Sequence, residues 1–374
     1  MTSWTIGELG EFITLKRGYD LPHQKRKAGG VPIFSSSGIS GIHDKAMVKA
    51  PGVITGRYGT IGQVFMADED FWPLNTTLYV EDFHGNNPRF IYYFLKTLEW
   101  EKFTSASAVP GINRNTVHKE VIRLPDTTTQ GKIALLLKTF DDKIDVNEQI
   151  NDNLQQQAAA TFKSWFVDCT PFDGVVPKIW GNVILEEITT LVSRGIAPKY
   201  SDNSEQTVIN QKCIRNHTID LSLARTHTPK IINEKWLRFG DLLINSTGDG
   251  TLGRAAQVWF QPKNLTVDSH VTIVRPAKEN LIFYIGFWGI LHEKEIESLH
   301  TGSTGQTELP RDRVRAMELL LPDNETLDRF NALIAPMAAV IVSNQEENTK
   351  LAALRDALLP KLMSGEIDIS DIRL

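Results

Sequence analysis

Ile144-Asp-Val-Asn147-Glu-Gln-Ile-Asn151-Asp-Asn-Leu154 returns as Ile341-Val-Ser-Asn344-Gln-Glu-Glu-Asn348-Thr-Lys-Leu351, with each numbered residue 197 positions after its counterpart. The same offset carries Arg123-Leu124-Pro125-Asp126 onto Leu320-Leu321-Pro322-Asp323, so nothing is inserted or deleted between these points. Upstream the offset drifts: Arg17-Gly18 pairs with Arg194-Gly195 at 177, and Gly59-Thr60-Ile61-Gly62 with Gly250-Thr251-Leu252-Gly253 at 191. Globular parts that vary, joined to helices of matched length, predict two readers held apart by a ruler.

The matched segments have helical spacing. Steps of four and three from Ile133 select Leu137, Phe140, Ile144, Asn147, Asn151 and Leu154; in the second copy they select Ile334, Met337, Ile341, Asn344, Asn348 and Leu351. That is the apolar seam of a coiled coil. Asparagine in a seam costs stability but fixes register and orientation. Two asparagine layers at equivalent places therefore predict that the helices pair with each other. The competing reading is two amphipathic helices, each packed on its own domain. The short link Thr170-Pro-Phe-Asp-Gly174 makes the chain double back, which predicts an antiparallel pair. Pro336 is expected to kink or restart the second helix.

The 374 residues, 41% hydrophobic and 23% charged, suit two globular domains with a core in each. The expected divisions are 1–125 and 171–322 for the domains, and 126–170 and 323–374 for the helices and tail. Met1-Thr-Ser-Trp4-Thr-Ile-Gly-Glu8 lacks the features of a signal peptide, and the longest apolar run, Leu281 to Leu291, is short for a bilayer. A cytoplasmic protein without a membrane partner is expected. Cys169 and Cys213 make neither a disulfide framework nor a zinc site. The net charge of −5 is unevenly spread: +2 over 1–125, −3 over 126–170, 0 over 171–322 and −4 over 323–374. The acidic excess sits in the helices, leaving globular halves compatible with DNA.

Each half repeats one order of signals: a tryptophan (Trp4, Trp180), an Arg-Gly, and a strand-like run into the Gly-Thr-(Ile/Leu)-Gly turn. A returning strand, an aromatic helix and a Ser/Thr/Gly-rich loop follow. The expected class is mixed α/β. Gly248-Asp-Gly250-Thr-Leu-Gly253 matches a dinucleotide fingerprint, but a strand rather than a helix follows it, and the first copy lacks the pattern. Pro125-Asp126 with Asp141-Asp142-Lys143 mimics a nuclease constellation, yet the last three fall on the helix and the second copy has Ala338-Ala339-Val340. There is no phosphate-cradling Gly-x-x-x-x-Gly-Lys loop, no motif for methylating an exocyclic amine, and no histidine set at metal-ligand spacing. A non-catalytic chain with no cofactor or metal of its own is expected.

Recognition remains. Arg57, Tyr58, Thr60, Asn245, Ser246, Thr251 and Arg254, beside the glycine loops, are candidates to donate to phosphates and base edges. Arg17 and Arg194 precede the matched glycines, and Arg114, Gln306 and Arg311 lie in or after the Ser/Thr-rich loops. Lys25-Arg26-Lys27 is a candidate for tracking a phosphate backbone.

With these features the chain resembles the specificity subunit of type I restriction–modification enzymes. Leu354-Arg-Asp-Ala-Leu-Leu-Pro-Lys-Leu-Met-Ser-Gly-Glu-Ile367 looks very like that family's C-terminal signature, and Asn153-Leu-Gln-Gln-Gln-Ala-Ala-Ala-Thr-Phe-Lys-Ser-Trp-Phe166 is similar to its central region. The resemblance implies two tandem target recognition domains, each followed by a long helix, the helices forming an antiparallel coiled coil. Each domain would read one half of a split double-stranded DNA target. The helices would set the gap and dock two copies of a DNA adenine methyltransferase subunit, with nuclease–translocase subunits joining for cleavage in phage defence. S-adenosylmethionine, ATP and Mg would belong to those partners. Two alternatives stay open: a scaffold for methyltransferase assembly that reads no DNA, and the reader of a system that only methylates.

Overall fold

The structure is a computed structural model that describes residues 3–104, 111–248, 250–302 and 307–369. It divides into two compact units, 1–145 with 349–374, and 146–348. Both boundaries fall inside long helices. The central helix runs Thr127–Phe162 and the terminal helix Asn324–Ser364, the latter continuing through Pro336. The expected restart at that proline is absent. Its lost hydrogen bond is tolerated where neighbouring Ile334 and Ala338 are buried in the core.

Both helices begin the same way. Asp126 accepts the Thr129 backbone N–H at 3.0 Å and the Thr129 hydroxyl at 3.1 Å. Asp323 accepts the same two groups of Thr326 at 3.0 and 2.7 Å. These hydrogen bonds, from the Thr129 backbone and the Thr326 hydroxyl foremost, hold both carboxyls below the usual carboxylate range. A carboxylate at a helix N-terminus satisfies orphan N–H groups and complements the helix dipole. The Pro-Asp dipeptides are helix starts, with Asp126 engaged by Thr129 and Asp323 by Thr326. Asp141 is likewise structural, accepting from Arg355 and from the Tyr93 hydroxyl.

In the first unit a four-stranded antiparallel sheet has the order Thr14–Arg17, Thr77–Asp82, Gly52–Gly56, Val64–Ala67. The second unit repeats it with Thr189–Arg194, Val271–Pro276, Leu242–Asn245 and Ala255–Gln257. Each unit also pairs its opening strand with the strand before its long helix: Trp4–Glu8 with Val121–Pro125, and Gly181–Ile184 with Glu318–Leu321. A three-stranded sheet that the sequence did not announce completes each: Gly38–His43, Val31–Ser35 and Trp72–Pro73, and Arg225–Thr226, Thr207–Ile209 and Leu265–Val267. The apolar run becomes a buried helix, Ile282–Leu291, over the second sheet.

Each core takes in parts of both long helices. The first unit buries Ile133 and Leu137 with Leu359, Leu362 and Met363; the second buries Phe330 and Ile334 with Ala158 and Phe162. Ile133 and Phe330, Leu137 and Ile334, and Phe162 and Leu359 are equivalent at the 197-residue offset. Each unit is therefore closed by the near end of its own helix and the far end of the other. In the second unit this junction is aromatic, with Phe166 edge-on to Phe330 at 4.8 Å and Phe162 against Phe287 at 5.5 Å between ring centres.

The matched Arg-Gly pairs have a backbone cause. A Cβ on Gly18 would stand 2.2 Å from the Leu74 carbonyl oxygen, and one on Gly195 would stand 1.9 Å from that of Val267. Single parallel bridges follow, Tyr19 with Leu74 and Ile196 with Asp268. Backbone cannot retreat as a side chain can. Gly195→Ala is expected to destabilise the second unit by about 1–3 kcal/mol, read as a lowered calorimetric transition, and an unchanged transition would refute the close approach.

Candidate nucleic-acid interface

Strand ends and glycine loops build the candidate site. In each unit two adjacent strands lead into a loop whose glycines adopt left-handed backbone: Gly59 and Gly62 at φ 77° and 80°, Gly250 and Gly253 at 66° and 84°. Only glycine takes these angles without strain, which accounts for the Gly-Thr-(Ile/Leu)-Gly repeat. A returning strand follows both loops, so the dinucleotide fingerprint has no helix N-terminus to hold a pyrophosphate.

In the first unit the loop borders a cavity of about 460 Å³ lined by Arg17, Arg57, Tyr58, Leu78, Gly111, Ile112, Asn113, Arg114 and Asn115. Arg17 ends the Thr14–Arg17 strand, Arg57 and Tyr58 follow Gly52–Gly56, and Arg114 opens the short helix Arg114–His118. The Arg57 guanidinium lies 4.5 Å from the Tyr58 ring centre, and its Nε donates to the Ile112 carbonyl at 3.4 Å. Gly111 lets the Tyr58 ring approach, since a Cβ there would meet it at 2.1 Å. Arg17 and Arg114 are exposed and make no hydrogen bond or ion pair among the described residues. Burial first, then the charge of Arg114, hold His118 below its usual value; its Nε2 accepts the Leu15 N–H at 2.9 Å. No acidic side chain lines the cavity among the described residues.

The second unit places the equivalent atoms differently. The Asn245 N–H donates to the Arg254 carbonyl as that of Gly56 does to Gln63, so Ser246 occupies the place of Arg57. The Leu309 N–H then donates to the Ser246 carbonyl as that of Ile112 does to Arg57. Arg194, the counterpart of Arg17, is engaged by the Glu308 carboxylate and donates to the Leu309 carbonyl at 2.8 Å. Glu308 stands where the first unit has Gly111.

Several candidates do not come together. Asn245 and Ser246 are wholly buried; Asn245 donates to the Gln211 carbonyl at 3.1 Å and the Ser246 hydroxyl bonds that of Thr272 at 2.6 Å. These bonds tie the end of the strand and the start of the loop to neighbouring segments. Thr251 and Arg254 bond carbonyls of their own loop, Arg254 to Gly250 at 2.8 Å. Thr60 is half-buried beside Gly56. Arg311 is exposed beside Asp312 at 3.6 Å. Lys25 and Lys27 are exposed away from the cavity lining, and Arg26 donates to the Ser40 carbonyl at 3.1 Å. Gln306 lies outside the described residues. Asn113, Asn115 and Glu308 were not singled out beforehand; the 197-residue offset that opposes Gly111 to Glu308 was the available signal.

Of the seam positions, Ile133, Leu137, Asn147, Asn151, Ile334 and Ile341 are buried, and Phe140, Ile144, Leu154, Met337, Asn344, Asn348 and Leu351 are half-buried. Asn147 donates to Glu347 at 2.7 Å and to Asn348 at 2.8 Å, and Asn344 donates to Asn151 at 2.9 Å.

Residues 1–156 match the type I restriction modification DNA specificity domain family. The chain is 27% identical over 312 residues to the type I restriction enzyme MjaIX specificity subunit of Methanocaldococcus jannaschii, covering 76% of this chain and 70% of that one. It is 23% identical over 359 residues to the HindI specificity subunit of Haemophilus influenzae, covering 75% and 77%. Its fold is similar to the crystal structure of a type I restriction–modification S subunit from M. genitalium, with a TM-score of 0.60 at 15% identity over 96% of both chains. Taken with the internal repeat, these likenesses make the chain similar to type I restriction–modification specificity subunits, with residues 1–156 matching that family's DNA specificity domain.

Proposed function

We propose that this chain reads a split double-stranded DNA target, one half-site per unit, and docks two DNA adenine methyltransferase subunits, with nuclease–translocase subunits joining for cleavage. The observation that carries the reading is the repeated four-stranded sheet, which presents an arginine at a strand end and a glycine loop in each unit. S-adenosylmethionine, ATP and Mg would reside on the partners, and the assembly would act in the cytoplasm.

The paired helices serve as the spacer in this reading. Its support is that the partners of Asn147 and Asn151 are Asn348 and Asn344, so numbers fall on one helix as they rise on the other. Docking is supported by apolar side chains left exposed along both helices: Leu135, Val146 and Ile150 on the central one, and Leu333, Val340 and Leu354 on the terminal one.

Long-read methylation mapping in a methylation-free host tests the function, with the methyltransferase subunit expressed with and without this chain. Methylation of a two-part motif with a fixed gap, appearing only with the chain, is expected. Unchanged methylation in its absence would reduce it to a scaffold or a bystander.

A further inference from the structure

We propose that the first unit's cavity is a seat for one phosphodiester of the DNA backbone, and that Glu308 closes the corresponding place in the second unit. The two halves would thus contribute unequally to affinity. This inference rests on the DNA-reading function above and deepens it.

Three guanidiniums, those of Arg17, Arg57 and Arg114, line one solvent-facing cavity with no carboxylate among the described lining residues. Like charges gathered without a counter-charge repel one another, and an entering anion relieves that repulsion. Guanidinium offers paired N–H groups at the spacing of phosphate oxygens, so a phosphate suits the cavity better than a neutral base edge. Arg57 is already held, by Tyr58 and the Ile112 carbonyl, while Arg17 and Arg114 have their donors available.

The second unit shows the same framework with its charge cancelled. Arg194 is occupied by Glu308, and Ser246 replaces Arg57. The first unit cannot make that change, because a side chain at Gly111 would run into Tyr58. Glycine at one position and glutamate at its counterpart thus make one place an anion seat and the other a closed ion pair.

The test uses the complex assembled with its methyltransferase subunits, on a duplex carrying the mapped target. Affinity is measured by fluorescence anisotropy across a salt series. Arg17→Gln with Arg114→Gln, both at exposed positions where folding is little affected, is expected to reduce the slope of log K against log salt by about 0.9, one phosphate contact. Between 50 and 200 mM salt the affinity loss would shrink roughly threefold, and the methylated motif would stay the same. Glu308→Ala is expected to steepen the slope by freeing Arg194. A wild-type slope in the double variant, or an altered half-site in its methylation map, would overturn the phosphate seat. A wild-type slope in Glu308→Ala would overturn the closure. Failure of the wild-type complex to bind its duplex selectively would instead overturn the reading function, and the seat with it.

Discussion

Replacing Arg275 with methionine is expected to destabilise the second unit by about 3–5 kcal/mol, the loss typical when one member of a buried ion pair is removed. Its guanidinium donates to both Asp241 carboxylate oxygens, at 2.8 and 2.7 Å, and to the Glu234 and Trp236 carbonyls at 2.7 Å each. Asp241 is 1% exposed, so without Arg275 its charge keeps only the Arg238 N–H at 2.8 Å and the weaker pull of the Arg238 charge. Burial already pushes the Asp241 carboxyl above its ordinary value, against the pull of Arg275, and losing the guanidinium would push it further. A carboxyl whose folded pKa lies above its unfolded one stabilises at low pH and loses that contribution as pH rises through the folded value. The deficit of the variant should therefore be smaller at pH 5 than at pH 8. Adding Asp241→Leu should recover most of the loss, because two apolar groups leave no charge stranded. Scanning calorimetry of the single and double variants decides this. A single variant within about 1 kcal/mol of wild type, or a double variant no better than the single, would contradict it.

Lengthening both helices by one heptad, after Asn151 and before Asn344, is expected to widen the recognised gap and leave both half-sites unchanged. These points face each other in the register set by Asn147 with Asn348 and Asn151 with Asn344. Seven helical residues add about 10.5 Å, which corresponds to about three base pairs at roughly 3.4 Å each. Insertion in one helix alone should instead misalign the asparagine layers and impair assembly. Methylation mapping reads both results. A changed half-site with an unchanged gap would contradict the spacer reading.

Much of this architecture was legible beforehand because it depends on periodicity and repetition. The long helices follow from apolar positions at steps of three and four, and their starts from Pro-Asp dipeptides that place a carboxylate beside orphan N–H groups. The glycine loops were visible as a repeated Gly-Thr-(Ile/Leu)-Gly, since left-handed backbone leaves few residue choices. The Arg-Gly pair was visible as well, but its reason was not: the carbonyls that exclude a Cβ come from Leu74 and Val267, far along the chain.

Site residues were less legible, because a side chain's availability depends on what packs around it. Asn245 and Ser246 carry the right donors but are buried and bonded to Gln211 and Thr272. Arg17 and Arg194 are equivalent in sequence, yet one is unoccupied and the other is engaged by Glu308. By itself the sequence determined the mixed α/β class and two long helices with their starts, because helical period and backbone conformation are local constraints. The tertiary structure alone decided that each core takes the far end of the other half's helix, and which arginines keep their charge available, because burial and ion pairing are set by neighbours distant in the chain.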